Sequence, residues 1–235
     1  MNAEPTLRPD TLADMELFQG LPPAALADTM ACARTHRLPE ETRIFDQGDR
    51  AVRAYALIEG GVRISQSGSD GEQVVIRFVG PGEMFGTVAL FTDRRYPAEA
   101  VTLTESVSLS WSEADVLELM GRYPAIAINL VRIMGNRLQE VQERFREIAT
   151  QSVERRVAHA LLRLAHKAGE NTTQGTEIDF PLTRKHVAEM SGTTLYTVSR
   201  ILTRWEKSGW VVTGHQRVTL CDFAEIRKIA EDGMS

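Results

Sequence analysis

The stretch "SGTTLYTVSRILTRWEKSG", residues 191–209, decides the reading of this chain. At about 100° per residue it predicts a helix with two unlike faces. Val198, Ile201, Leu202 and Trp205 share one side; Thr193, Tyr196, Thr197, Arg200, Thr203 and Arg204 share the other, with Ser199 at the border. The first side is a core stripe. An ordinary solvated face would favour Lys and Glu, whereas the second is built of Thr, Tyr and Arg. Arg donates two hydrogen bonds to guanine O6 and N7. Thr and Ser bond base edges or phosphates, and a Thr methyl meets a thymine methyl. The polar side is therefore expected to lie on DNA.

The residues around this helix support that expectation. Thr183 is a good N-cap for a short helix running through Met190. Counting from Arg184, the fifth residue is the small Ala188, the ninth is Gly192 and the fifteenth is the apolar Val198. A helix-turn-helix needs a small residue where two helices cross, a glycine in the turn and an apolar pin on the second helix. The second helix is predicted from about Thr194 to Lys207. "KSGWVVTGHQRVTL" then reads as a hairpin turning at Gly214, with His215 and Arg217 at its tip as a wing reaching the DNA backbone. The expected DNA surface comprises Arg184, Lys185, Thr193, Thr194, Tyr196, Thr197, Ser199, Arg200, Arg204, His215 and Arg217.

Charge distribution agrees. The whole chain of 235 residues has a formal charge of −5. Residues 1–149 carry 15 Lys and Arg against 22 Asp and Glu, while 183–217 carry 6 against 2. A basic island on an acidic protein is a local signal that net charge hides.

Upstream, Val153, Val157, Ala160, Leu161 and Leu164 mark a helix that stops at Gly169. A polar loop "ENTTQGT" and a short strand "IDFPL" are expected to follow. From Pro124 to about Thr150 a long helix is predicted. Val131, Met134, Leu138, Val141, Phe145 and Ile148 are spaced 3, 4, 3, 4 and 3 apart, a heptad seam. Ile126, Leu130 and Ile133 form a second stripe on another face. Two stripes imply two partners: the chain's own sensor domain and the same helix of a second copy. Residues 38–111 read as short alternating strands between Gly48, Gly60, Gly61, Gly68, Gly71, Gly80 and Gly82, the pattern of an antiparallel barrel or sandwich. Short helices are expected near 11–18, 23–33 and 112–121.

The class is thus α+β, with a sensor domain at 1–122, a dimerisation helix at 123–151 and a DNA-binding domain at 152–235. At 43% hydrophobic and 25% charged, the chain can bury a sizeable core. It has no apolar run long enough to cross a bilayer, and "MNAEPTLRPD" contains no signal-peptide core. A cytoplasmic protein without membrane partners is expected. Residues 38–111 contain no histidine, so the His/Glu metal cluster of a cupin-like enzyme is lacking and no enzymatic activity is expected.

"GEMFGTVALFTDRRYPAEA", "IMGNRLQEVQERF" and "LTRKHVAEMSGTTLYTVSRIL" together resemble the Crp/Fnr superfamily of transcription regulators over essentially the whole chain. The resemblance implies a double-stranded β-roll of the cyclic-nucleotide-binding type, a dimerising helix and a winged helix-turn-helix. It implies a homodimer on a palindromic site with half-sites about one DNA turn apart, acting on RNA polymerase. Ser199-Arg200 matches the Ser-Arg pair of the oxygen-regulator branch, so Arg200 inherits the guanine-reading role and a TTG…CAA-like core follows. Tyr196 replaces the acidic residue usual three places before Ser199, which leaves the flanking bases open.

In the cyclic-AMP branch a Gly-Glu pair and an Arg-Ser pair hold the ribose and phosphate. Here those positions read Gly86-Thr87 and Tyr96-Pro97, followed by Ala98, and the adenine-reading Thr-Ser pair is matched by Val141-Gln142. Without a cation at Tyr96, burying a phosphate charge is costly, so cyclic AMP is not expected as effector unless Arg94 or Arg95 substitutes. An iron–sulfur cluster is not expected, because the N-terminal cysteine cluster is missing; only Cys32 and Cys221 are present. "YPAEA" with "SGTTLYTVSRILTRWE" is similar to the NnrR-type regulators, which implies a response to nitric oxide through a haem and control of denitrification. The axial ligand stays open among His36, the sole sensor-region histidine, Cys32 and the sensor's methionines. A regulator with no bound effector is the alternative.

Overall fold

The computed structural model describes residues 7–69 and 71–231. Most of the opening stretch on which the signal-peptide expectation rests lies outside the described residues. Packing divides the chain into two compact units, Met1–Val62 with Val79–Glu140 and Arg63–Phe78 with Val141–Ser235.

The roll is made of two four-stranded sheets. One has the order β1 (Arg34–Leu38), β8 (Ser106–Ser112), β3 (Arg53–Glu59), β6 (Met84–Phe85); the other has β2 (Arg43–Phe45), β7 (Glu99–Thr102), β4 (Val62–Ser67), β5 (Gln73–Val79). Strand β8 shows why these residues pair. Val107, Leu109 and Trp111 alternate with Ser106, Ser108 and Ser110, and both sets are almost fully buried, as befits a central strand. The Trp111 indole N–H is satisfied by the Thr29 carbonyl at 2.8 Å on helix α1 (Pro23–Cys32). Two short 3-10 helices, Pro9–Leu12 and Glu16–Phe18, stand where one helix near 11–18 was expected.

Ser112 ends β8 and starts α2 (Glu113–Arg122). Its hydroxyl accepts from the Asp115 N–H at 3.2 Å, while Asp115 accepts from the Ser112 N–H at 2.9 Å, a capping box. The Ser112 hydrogen bonds hold the Asp115 carboxyl below its usual range.

Helix α3 runs Pro124–Thr150, within the expected bounds. Its stripe Ile126, Leu130 and Ile133 is buried. Asn129 adds an anchor by donating to the carbonyls of Leu17 at 3.1 Å and Gln19 at 2.9 Å. The other stripe stays in solvent. Val131, Leu138, Val141, Phe145 and Ile148 are 56–74% exposed, and Met134 is half-buried.

In the second unit, α4 (Val153–Ala168) is capped by Ser152 and buries Val157, Ala158, Ala160 and Leu161 completely. The polar segment expected to be a loop is instead a hairpin, β9 (Gly169–Thr172) and β10 (Gly175–Ile178). The strand expected at "IDFPL" accordingly lies earlier. β10 also pairs with β12 (Arg217–Leu220), which pairs with β11 (Val211–Gly214), giving the order β11-β12-β10-β9. That long-range pairing gives the polar residues strand partners that composition alone does not suggest. Helices α5 (Arg184–Ser191), α6 (Leu195–Lys207) and α7 (Phe223–Glu231) complete the unit. Among the described residues no helix is long and apolar enough to cross a membrane.

Candidate nucleic-acid interface

Helices α5 and α6 are started by their own sequence. The Thr183 hydroxyl accepts from the His186 N–H at 3.1 Å, and the Thr194 hydroxyl accepts from the Thr197 N–H at 3.2 Å. Between them Gly192 adopts φ +60°, a left-handed conformation that costs glycine nothing. Arg156 on α4 holds this turn from behind, a role with no signal in the local sequence. It donates to the carbonyls of Ser191 at 2.8 Å, Gly192 at 3.2 Å and Gln151 at 2.9 Å.

Helix α6 has the two faces expected of it. Val198, Ile201, Leu202 and Trp205 are at most 5% exposed. The Trp205 indole N–H donates to Glu154 at 2.9 Å. On the other side Tyr196, Arg200, Thr203, Arg204 and Lys207 are exposed, and Thr193, Thr197 and Ser199 are half-buried.

The structure separates the cations of this face by what they already hold. Arg184 donates to both Glu206 carboxylate oxygens at 3.1 and 3.2 Å, to Thr213 at 3.0 Å, to Thr203 at 3.2 Å and to the Ser199 carbonyl at 3.4 Å. It braces α5 against α6 and β11 through these partners. Lys185 lies 3.6 Å from Glu189. Arg204 is paired with Glu154 and Arg217 with Glu177. These three pairs have exposed cationic ends and are weak enough to open for phosphate. Arg200, Lys207 and Tyr196 make no side-chain bond among the described residues. The Thr194 hydroxyl is occupied in capping.

The wing hairpin turns at His215 and Gln216, with φ +47° and +63°, rather than at Gly214, which ends β11. Two consecutive left-handed residues are the geometry of a tight two-residue hairpin turn. His215 is exposed at the tip as expected, with Arg217 one residue beyond the turn.

His186, in the first turn of α5, is buried. Arg63 of the β4–β5 hairpin approaches its Nε2 at 3.1 Å, and Phe78 of the same hairpin meets its ring at 5.8 Å. Arginine can only donate, so Nε2 accepts in this contact, while Nδ1 faces the Thr183 backbone N–H at 3.4 Å. Burial, then the charges of Arg63 and Lys185, push its pKa down to about 4.

The expected effector position in the roll is filled by aromatic rings. Tyr96 is 3% exposed. Its ring stacks on Phe45 with centroids 3.8 Å apart, and its hydroxyl donates to the Arg53 carbonyl at 2.8 Å. Tyr55 stacks on Phe85 at 5.2 Å. A Cβ at Gly86 would come within 3.2–3.3 Å of the Tyr55, Phe45 and Tyr96 rings, so the glycine is needed for their close approach. Burial raises the Tyr55 pKa to about 12 and raises that of Tyr96 as well, so both phenols stay neutral. Thr87 is buried with no partner for its hydroxyl among the described residues, and Ala98 is buried as well. Pro97 and Val141 are exposed. Arg94 pairs with Glu113 at 2.8 Å, and Arg95 donates to the Gly48 carbonyl at 2.7 Å.

His36, on β1, shares a 2.6 Å hydrogen bond between Nε2 and the Ser110 hydroxyl, which also accepts from Arg53 at 2.8 Å. Burial, then Arg53 and Arg34, lowers its pKa. Cys32 and Cys221 are free thiols.

Comparison with known proteins agrees with this geometry. Residues 35–123 match the cyclic nucleotide-binding domain, and residues 155–229 match the Crp-like helix-turn-helix domain. The chain is 26% identical over 221 residues to the CRP-like cAMP-activated global transcriptional regulator of Mycobacterium tuberculosis, covering 94% of this chain and 99% of that protein. It is 29% identical over 214 residues to the cyclic AMP receptor protein of Thermus thermophilus, covering 91% and 96%. The crystal structure of a CRP-family transcriptional regulator from Thermus thermophilus superposes with a TM-score of 0.70 at 27% identity, covering 83% of this chain and 96% of that one. With a nucleotide-binding-type roll, a long helix and a Crp-like helix-turn-helix in one chain, the protein belongs to the Crp/Fnr family of DNA-binding transcription regulators.

Proposed function

We propose that the protein acts as a homodimer that reads a palindromic, TTG…CAA-like DNA site with one α6 per half-site and regulates transcription through RNA polymerase. The observation that carries this is the division of cations around α6. Arg184 is spent inside the fold, while Arg200 stands unpaired in the middle of the exposed face. The seam of α3, exposed along five apolar residues, supports the dimer. Arg200→Ala is expected to cost about 1–3 kcal/mol per half-site and to relax discrimination at one base pair. Binding to specific and random duplexes, compared at fixed salt, tests this: an equal loss on both assigns Arg200 to phosphate instead.

The effector is proposed to differ from that of the named relatives. They are cyclic-AMP proteins by name, yet the nucleotide position here holds the Tyr96 ring and the hydroxyl of Thr87. A phosphate there would lack a cation and would have to displace a stacked aromatic pair. Calorimetry with cyclic AMP is expected to show no saturable binding in the micromolar range; saturable micromolar binding reverses the proposal.

Nitric oxide sensing through haem, with control of nitrogen-oxide genes, is the narrower proposal. What supports it is the resemblance of the "YPAEA" and α6 segments to the NnrR-type branch. Haem reconstitution followed by absorbance and DNA binding with and without nitric oxide tests it. Stoichiometric haem and a change in DNA affinity support it. Lack of either leaves a regulator with another effector or none.

A further inference from the structure

The first turn of α6 is unusual in what it shows to solvent. Tyr196 is 75% exposed and Leu195 beside it is 51% exposed, while the other large apolar side chains of the helix are at most 5% exposed. The Thr194 cap fixes the backbone of this turn. Neither Tyr196 nor Leu195 has a side-chain partner among the described residues.

Tyr196 and Arg200 are four residues apart, so they point to the same side of α6 and lie about 6 Å apart along its axis. Base pairs in B-form DNA are stacked about 3.4 Å apart. Whatever Tyr196 touches is therefore within two base pairs of the Arg200 contact. A carboxylate at this place would accept from the cytosine amino group. A phenol ring offers no carboxylate for that, and its ring edge is apolar. Among the four bases only thymine presents a methyl group in the major groove. Leu195 widens the apolar edge and leaves no charged group to compete.

We propose that the Tyr196 ring reads a thymine C5 methyl within two base pairs of the guanine read by Arg200. This rests on the DNA-reading function above and adds the identity of a flanking base. The test begins with duplexes selected from a library holding a TTG…CAA core and random flanks. Each thymine of the half-site is then replaced by uracil, which removes only the methyl. One position is expected to lose about fourfold in affinity per half-site, the value of burying one carbon. Tyr196→Ala should abolish that sensitivity, and Tyr196→Phe should keep it. The proposal is overturned by a protein that prefers its selected site yet is indifferent to every uracil. It is equally overturned if Tyr196→Ala stays as uracil-sensitive as wild type at every thymine, or if Tyr196→Phe loses as much as Tyr196→Ala, which would assign the contact to the hydroxyl. Absence of any preference over random DNA would instead overturn the DNA-reading function itself.

Discussion

With Val141 and Phe145 both replaced by glutamate, the protein is expected to sediment as a monomer and to lose high-affinity binding to a palindrome. The two side chains are 57% and 74% exposed on the seam of α3. Exposed large apolar side chains repeating every three and four residues are the geometry by which one helix buries itself against a copy. Across a two-fold axis each substitution appears twice, so four carboxylates would meet in a desolvated seam. Each ion costs several kcal/mol to take out of water and finds like charge opposite, more than a seam of this length returns. The opposite stripe, Ile126, Leu130 and Ile133, is untouched, so the fold of the subunit should survive; circular dichroism checks that. A folded variant that remains dimeric at micromolar concentration removes these residues from the interface.

The second large effect concerns pH. Unfolding free energy is expected to fall by about 2–3 kcal/mol through His186 alone as pH drops from about 6.5 to about 4. The folded pKa of His186 is depressed from 6.5 to about 4. Within that window the unfolded chain holds a proton that the folded chain does not, so stability rises with pH and is lost on acidification. The full shift corresponds to at most about 3.4 kcal/mol, which screening reduces. The physical event is the arrival of a second positive charge 3.1 Å from the Arg63 guanidinium, beside Lys185, which half-buried Glu189 only partly offsets. His36 and His159 are shifted in the same direction by burial, whereas burial raises the Glu189 pKa and acts with the opposite sign. The comparison that isolates His186 is denaturant unfolding of wild type and His186→Gln at pH 7 and pH 4.5. Glutamine can accept from Arg63 and does not titrate, so its curve should be flatter by the stated amount. Parallel pH dependences would show that the His186–Arg63 contact contributes nothing.

Much of the interface was legible because its signals are local. Thr183 and Thr194 cap their own helices through backbone N–H groups three residues on, and Gly192 sits where only a left-handed turn joins α5 to α6. The two stripes of α3 and the two faces of α6 follow from helical periodicity, which a linear sequence displays directly. Which cations are available could not be read in that way. The acids that engage Arg204 and Arg217 are Glu154 and Glu177, 50 and 40 residues distant. Arg184 reaches Glu206 and Thr213 only once α5, α6 and β11 meet. The same holds for the hairpin taken from its composition to be a loop, since β10 pairs with β12 through Thr176 with Leu220 and Glu177 with Thr219, residues far apart in the chain. It holds too for the roll. Sequence marks Tyr96 as a lost arginine, but only the folded sheets bring Phe45 against its ring and turn a missing charge into a filled space. Periodicity and capping act within a few residues and are written in the chain. Charge pairing and ring packing depend on which distant residues the fold brings within about 4 Å, and the tertiary structure alone decides that.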